Sequence, residues 1–488
     1  MTFDGVFVLR IIEKLLIIYF VSYMIIDLSL FVFALFNFRK RRPSKIKNHP
    51  YQNYPISIIV PSYNEEVSII ACTEMLLNVD YPNFELILVN DGSSDNTMEL
   101  LKQHYRLEAI PVSETQHLVT HKTRNVYRVV GKNLLIIDKE NGGKADSINS
   151  GINWSSGDFI CTIDADSILD KNALKEVVNP FIENERTIVS GGQLAVANEV
   201  IIENNEVVSL KTPRNIWVIW QIGEYLKSFM ISRLGLSKIN ALLIMSGAFS
   251  LFRKQDLIEI GGFLTPINTH PYIVENIGIG KQTVCEDMEI VVRLWKYKKD
   301  NGINAKAIFL AEPVCWTEVP EEGKNLFKQR VRWHQGLSET LKIHWNMILE
   351  PKYGVTGMVA LPYYFFFQLL SPIMKGLAIV VVTISLLTRT INYQRMLLLI
   401  ISVFLITAII MSSITVIIEY WSQKKYPANK NALRYKGFGG WSWLIFANIF
   451  GELTYAVYKF VAQLKGIYNF LRRKNEWNKF ERKGIRKV

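Results

Sequence analysis

The chain has 488 residues, 49% of them hydrophobic, with 56 Lys and Arg against 44 Asp and Glu for a formal net charge of +12. Apolar content above ordinary globular usage excludes a wholly soluble or disordered chain and places part of it in lipid. Four cysteines without C-x-x-C spacing point away from a disulfide scaffold or structural zinc and toward reduced thiols.

From Leu15 to Phe36 the sequence is apolar apart from Ser22, Asp27 and Ser29, long enough for a helix to cross a hydrocarbon core of roughly 30 Å. Arg39, Lys40, Arg41 and Arg42 follow at once. Because Lys and Arg gather on cytoplasmic flanks, residues 10–38 are expected to be an uncleaved transmembrane anchor with the following residues in the cytoplasm.

Residues 51–345 change character and are expected to form one soluble domain. Ile56-Ser57-Ile58-Ile59-Val60 and Phe84 to Val89 read as buried strands. Each ends at a polar turn, Pro61-Ser62-Tyr63-Asn64-Glu65-Glu66 after the first and Asn90-Asp91-Gly92-Ser93-Ser94-Asp95 after the second. Strand, turn, helix, strand is the rhythm of a doubly wound parallel sheet, whose ligands bind beyond the carboxyl ends of the strands. There Asp91 can accept hydrogen bonds from a uracil or ribose, with Pro61 and Tyr63 walling the base. The second turn also reads as a plain helix cap.

The third turn, Asn141-Gly142-Gly143-Lys144, puts a lysine at a helix start, where it can meet a phosphate as a point charge. It lacks the G-x-x-x-x-G-K-[ST] spacing of a Walker loop. A further strand, Phe159 to Ile163, runs into Asp164-Ala165-Asp166. Two carboxylates so close repel in low dielectric, and a hard divalent ion such as Mg2+ or Mn2+ shared with a diphosphate resolves the repulsion. An exposed turn is the plainer reading of such a string taken alone.

Glu286-Asp287 opens an amphipathic segment, Met288 to Trp295. Acidic residues favour a first helical turn, so this pair reads both as a helix N-terminus and as a catalytic base, and the helix dipole is expected to lower the pKa of Asp287. Gln329-Arg330-Val331-Arg332-Trp333 falls on an expected helix from Lys324 to Leu341, with Gln329, Arg332 and Trp333 on one face.

The oil returns over residues 356–465. Ile373 to Leu387 and Met396 to Ile418 read as spans, Met358 to Pro372 as an amphipathic interfacial helix, and Trp441 to Leu464 as either. The basic tail, residues 466–488, is expected in the cytoplasm, so an even number of crossings follows the domain: two if Met358 to Pro372 and Trp441 to Leu464 both lie at the interface, four if both cross. Juxtamembrane clusters account for the net charge, and no nucleic-acid partner is expected.

Taken together, these strings resemble the processive family 2 glycosyltransferases, membrane polysaccharide synthases of the cellulose, hyaluronan, chitin and poly-N-acetylglucosamine type. The resemblance covers the soluble domain and the order of anchor, domain and spans. It implies a GT-A-like α/β fold, a Rossmann-type mostly parallel sheet flanked by transmembrane α-helices. The implied activity is inverting, processive β-glycosyl transfer from UDP-glucose or UDP-N-acetylglucosamine, with Mg2+ or Mn2+. The enzyme would lie in the plasma membrane as a multi-pass protein, its catalytic domain cytoplasmic, with the growing polysaccharide and the bilayer as partners.

Carried over residue by residue, the resemblance makes Asp287 the base, with Glu286 beside it. Pro61, Tyr63, Glu65, Asp91, Lys144, Asp164, Arg330 and Arg332 fall to the nucleotide sugar, and Asp164 and Asp166 to the metal. Gln329, Trp333, Gly247 and Ala248 fall to the acceptor. Cys285 stands where the family has threonine before the Glu-Asp pair, a departure that leaves the threonine's supporting role in question. The competing activity is a non-processive transferase that adds one sugar to a lipid acceptor.

Overall fold

The computed structural model describes residues 3–40, 50–112, 117–203, 206–210, 213–390 and 437–473, with isolated positions between 394 and 420. Helix α1 (Phe3–Lys40) leads into β1 (Ile56–Ser62), α2 (Ile69–Leu77), β2 (Phe84–Asn90) and α3 (Thr97–His104). An antiparallel meander follows, β3 (Leu107–Ile110), β4 (Thr123–Val129) and β5 (Leu134–Lys139). Next come α4 (Lys144–Trp154), β6 (Phe159–Ile163), β7 (Ser167–Leu169), α5 (Ala173–Glu183) and β8 (Thr187–Val196). A separate hairpin pairs β9 (Val200–Glu203) with β10 (Glu206–Leu210). Helix α6 (Ile216–Lys227) runs through a π-turn, Ser228–Arg233, into α7 (Leu234–Lys238). The domain closes with β11 (Phe249–Arg253), α8 (Lys254–Glu259), α9 (Pro271–Asn276), α10 (Glu286–Asp300), β12 (Lys306–Thr317) and α11 (Gly323–Ile343). Beyond it lie π-turns at Thr356–Ala360 and Tyr363–Leu369, then α12 (Ser371–Leu387) and α13 (Gly437–Leu471).

One ten-stranded sheet carries the domain, in the order β3-β4-β5-β2-β1-β6-β11-β8-β12-β7. Ile58, Ile59 and Val60 of β1 and Leu86 to Val89 of β2 are fully buried, the continuous apolar run of strands covered on both faces. The register sets Ser62 beside Asn90 and Asn90 beside Asp138, and Ile59 beside Thr162. The carboxyl ends of β5, β2, β1 and β6 are therefore level, and their polar turns share one edge.

The sheet is mixed, where a mostly parallel one was expected. Parallel pairing joins β5-β2-β1-β6 and β8-β12, while β3-β4-β5, β6-β11-β8 and β12-β7 pair antiparallel. The cause lies in the connections: β4 and β5 are joined by a four-residue turn, which can only reverse direction, β3 pairs antiparallel on the outer side of β4, and β11 enters between β6 and β8 from the opposite end.

Within α1, Val6–Phe36 is long and apolar enough to cross a membrane. Two bent pairs, Thr356–Leu369 with Ser371–Leu387 at 43° and Gly439–Gly451 with Thr454–Leu471 at 48°, reach that length only if each is one broken span. The segment expected to be an interfacial helix is thus the first limb of the first pair. The expected span from Met396 to Ile418 lies almost wholly outside the described residues, as does the tail beyond Arg473.

Candidate active site

The turns after β1 and β2 are laced to each other. The Asn64 amide donates to Ser93 Oγ (3.0 Å) and Ser94 N to Asn64 Oδ1 (2.8 Å), while Glu65 N reaches Thr97 Oγ1 (2.9 Å) and Glu66 N reaches Asp95 Oδ2 (3.1 Å). Pro61, Tyr63 and Glu65 lie half-buried along this edge. Asp91 is buried and faces the third turn. Its Oδ1 accepts from Lys139 Nζ and Gly142 N, both at 2.9 Å, and its Oδ2 from Gly143 N at 2.8 Å. Lys139 is shared with Asp146 (2.6 Å). The Asp91 carboxylate, expected to face a base or ribose, is instead turned inward, where it shapes the Gly142-Gly143 turn.

That turn aims Lys144. Gly143 has φ +87°, a conformation that favours glycine, and Lys144 is the first residue of α4. Its Nζ lies 2.6 Å from Asp164 Oδ1, 3.1 Å from Glu286 Oε1 and 3.2 Å from the Gly247 carbonyl oxygen. Burial pulls the Lys144 pKa down, but Asp164, Glu286 and Asp287 together hold it above the ordinary lysine value. The residue expected at a phosphate is therefore an ammonium bridging the two acidic motifs.

Gly247 is the other bridge. Its N–H donates to Asp287 Oδ2 (3.2 Å) while its carbonyl accepts from Lys144. A Cβ at this position would stand 3.0 Å from Lys144 Nζ and in ordinary contact, 3.5 Å, with Asp287 Cβ, so a side chain here would crowd the ammonium. Ala248 follows, buried.

Asp287 titrates near 6, well above its usual range. Burial in the cleft is the main cause and the adjacent Glu286 adds to it, against opposing pulls from Lys144, Arg233 and the Gly247 amide. The lowering expected from the dipole of α10 is overturned: desolvation and a like charge next door outweigh a half-charge spread over a helix end.

Helix α11 carries the remaining motif. Arg330 is buried and Trp333 is 38% exposed, with Gln329 and Arg332 half-buried. The Arg330 guanidinium meets Glu224 of α6, with Nη2 and Nε both on Oε2, rather than standing open to a diphosphate. It also lies 4.0 Å above the Trp333 ring. Arg332 bears electrostatically on the Cys285 thiol. Cys285 is buried, its Sγ facing the Arg332 and Trp333 carbonyls at 3.9 and 3.8 Å. A Cβ on Gly336 would run into Cys285. The cysteine thus serves as the packing surface between α11 and the start of α10, and burial pushes its thiol pKa far up.

Sequence reading missed Arg233 and Glu224. Arg233 sits in the π-turn over the Phe229 ring (4.4 Å), with Nη1 buried and without a hydrogen-bond partner among the described residues. Asp287 and Tyr364 both bear on it electrostatically. Its one signal was a lone cation in the apolar run from Phe229 to Leu236.

Among the described residues no group of three or more His, Cys, Asp or Glu side chains converges on a metal-sized site. Asp164 is 28% exposed at its side chain, Asp166 is buried, and both lie on one turn. Two carboxylates are the oxygen donors that Mg2+ or Mn2+ takes, so the pair fits an ion that completes its shell on a diphosphate, not one held by protein alone.

Residues 57–261 match the family model described as Glycosyl transferase family 2. The match takes in Asp91, Lys144, Asp164, Asp166 and Gly247 and stops before Glu286. The chain is similar to a poly-beta-1,6-N-acetyl-D-glucosamine synthase of Staphylococcus epidermidis, 27% identical over 308 residues, 63% of this chain and 60% of that protein. It is similar to the synthase of the same name from Staphylococcus aureus (strain COL), 28% identical over 288 residues, 59% of this chain and 55% of that one. The chain thus spans less than two thirds of the length of these curated relatives. Its fold is similar to that of a mannosyltransferase from Pyrobaculum calidifontis solved in complex with GDP-Man and Mn2+, with a TM-score of 0.50 and 16% identity over 95% of this chain and all of that one.

Proposed function

We propose that this chain, whose residues 57–261 form a glycosyl transferase family 2 domain, is a membrane-embedded, inverting and processive β-glycosyltransferase that builds a polysaccharide from a UDP-sugar. UDP-N-acetylglucosamine is the first choice of donor, because the named relatives are poly-N-acetylglucosamine synthases; UDP-glucose is the second. The observation that carries the reading is the meeting of Asp164, Lys144, Glu286, Asp287 and Gly247, drawn from four separate stretches of chain, within hydrogen-bond reach of one another.

In the proposed reaction the acceptor hydroxyl attacks C1 of the donor sugar as Asp287 takes its proton, and the C1–O bond to UDP breaks with its electron pair leaving on the diphosphate. A base titrating near 6 is ionised at neutral pH yet more basic than an ordinary carboxylate, which suits general base catalysis. Lys144 keeps Asp164 and Glu286 from repelling each other while the cleft is free of donor. A divalent ion held by Asp164 and Asp166 would supply charge neutralisation at the diphosphate. Pro61, Tyr63 and Glu65 would line the base and Arg332 would face the diphosphate from α11. The half-exposed Trp333 offers an aromatic platform to the terminal acceptor sugar, with Gln329, Gly247 and Ala248 around it. Arg233, whose buried Nη1 has no hydrogen-bond partner among the described residues, would donate to sugar hydroxyls beside Asp287.

Arg233 feels both Asp287 and Tyr364, a residue of the first bent pair of apolar helices, which supports an exit toward that pair and with it threading of the product across the membrane from a cytoplasmic catalytic domain. Purified full-length protein in detergent, given labelled UDP-N-acetylglucosamine or UDP-glucose with Mg2+ or Mn2+, should leave high-mass product at the origin of a gel. If every product is a lipid carrying one sugar, processivity is wrong, and if no UDP is released from any donor, so is transfer.

A further inference from the structure

Helices α6, α11 and α13 meet at one carboxylate. Glu224 Oε2 accepts from Arg330 Nη2 (2.5 Å) and Nε (3.1 Å) on α11 and from the Tyr455 hydroxyl (2.7 Å) on α13. Glu224 Oε1 lies 3.5 Å from Lys459 Nζ on α13. The junction is built to last. Trp220, one turn before Glu224, donates from Nε1 to the Ala447 carbonyl (2.9 Å) and stacks on Tyr455 at 5.4 Å. Burial alone would raise the Glu224 pKa, but Arg330 and Lys459 hold it well below the usual carboxylate range.

Two donors of one guanidinium on one carboxylate fix the plane of that guanidinium. The third nitrogen of Arg330, Nη1, donates to Gln329 Oε1 (2.6 Å); that bond occupies the amide oxygen, and the Gln329 amide nitrogen is the end left to donate among the described residues. The fixed plane lies 4.0 Å above one face of the Trp333 ring. Without that cover a side chain as exposed as Trp333 would sample several rotamers. Tyr225, the neighbour of Glu224, flanks the indole at 6.4 Å.

We propose that Glu224 is a positioning residue for the acceptor subsite: through Arg330 it sets the orientation of Trp333 and Gln329 toward the terminal sugar of the growing chain, and through Tyr455 and Lys459 it ties that orientation to the place of α13. The inference rests on the acceptor reading of Trp333. It adds that the apolar helix which would flank the product also holds the sugar platform. A displacement of α13 would then be felt at the acceptor and not at the donor.

The test uses the full-length protein in detergent and measures two affinities separately, for UDP and for a short β-linked N-acetylglucosamine oligosaccharide. Glu224→Gln keeps the shape and removes the charge. It should weaken oligosaccharide binding about tenfold, the loss of one charge-assisted contact, and leave UDP affinity within about twofold. Glu224→Asp should recover most of the loss, and Lys459→Met should reproduce part of it. Because Glu224 acts largely through Trp333, with Gln329 as the second route, Glu224→Gln should weaken oligosaccharide binding clearly less in a Trp333→Ala background than in the parent. Unchanged oligosaccharide affinity in Glu224→Gln, an equal loss of UDP affinity, or losses that multiply in the double variant would each overturn the inference while leaving the acceptor role of Trp333 standing. If Trp333→Ala alone binds the oligosaccharide like the parent, the acceptor reading itself fails and this inference goes with it.

Discussion

At the scale of single residues, two measurements bear on Asp287, the proposed base. Asp287→Asn removes the base and leaves Asp164 and Asp166 in place, so UDP affinity should persist while transfer falls by about 10²–10⁴-fold. A loss of UDP affinity equal to that of Asp164→Asn would put Asp287 at the metal instead. The second measurement is pH. Protonation near 6 should make the transfer rate fall about tenfold per unit below that value. The sign for stability runs the other way from an ordinary ion-paired carboxylate, because the folded pKa is raised. The ionised form costs stability, and the cost is absent below the unfolded value of about 3.9, grows as pH rises to 6 and is complete above it. Asp287→Asn should therefore melt at higher temperature than the parent at pH 8, with the gap closing toward pH 4. The acidic motifs were legible because strand ends and spacing mark them. Arg233 and Glu224 were not, since a lone charge in an apolar helix has no spacing to read. Neither was the inward turn of Asp91, which depends on Lys139, 48 residues along the chain.

At the scale of elements, the site depends on how closely α10 and α11 approach. Gly336 lets the backbone of α11 lie against Cys285, the residue before Glu286. Behind it a buried network fastens the far side: Arg293 clamps Glu289 at 2.8 and 2.7 Å, and His344 Nε2 meets Glu289 Oε1 at 3.1 Å. Gly336→Val should force the helices apart, costing about 1–3 kcal/mol as overpacking. The expected readings are a lower melting temperature and a transfer rate reduced further than UDP affinity, since the base and the Trp333 platform separate while the donor turns stay put. Equal effects on both would mean that α11 does not set the acceptor geometry. The helix from Lys324 to Leu341 was legible to within two residues at either end because its charged and apolar positions repeat at the helical period. The direction of β7 and β11 was not. A short apolar strand looks the same running either way, and only its partners decide.

At the scale of the whole molecule, α1, the proposed anchor, also packs into the domain. Leu30 and Ala34 belong to the same buried core as the strands of the domain, and Asp27 lies 3.8 Å from Lys227 of α6. Gly235 of α7 lies so near the Leu30 backbone that an added Cβ would be 3.1 Å from the Leu30 carbonyl carbon. Farther along, Tyr19 donates to the Phe366 carbonyl (2.8 Å) and Glu13 accepts from Ser385 Oγ (2.6 Å). The hydropathy of α1 was plain in the sequence. Its docking was not, because lipid-facing and protein-facing positions of such a helix are equally apolar. The consequence concerns the π-turn that carries Arg233 beside Asp287, since α1 packs directly on it. Deleting residues 1–40 would uncover α7 and that turn, so the remaining chain should aggregate without detergent and, kept in detergent, should melt lower and transfer sugar more slowly. Gly235→Leu, which keeps the anchor and only pushes α1 away, should show the same loss of rate in smaller measure. A truncated chain that is monomeric, equally stable and equally active would mean that α1 tethers the domain without shaping its active site.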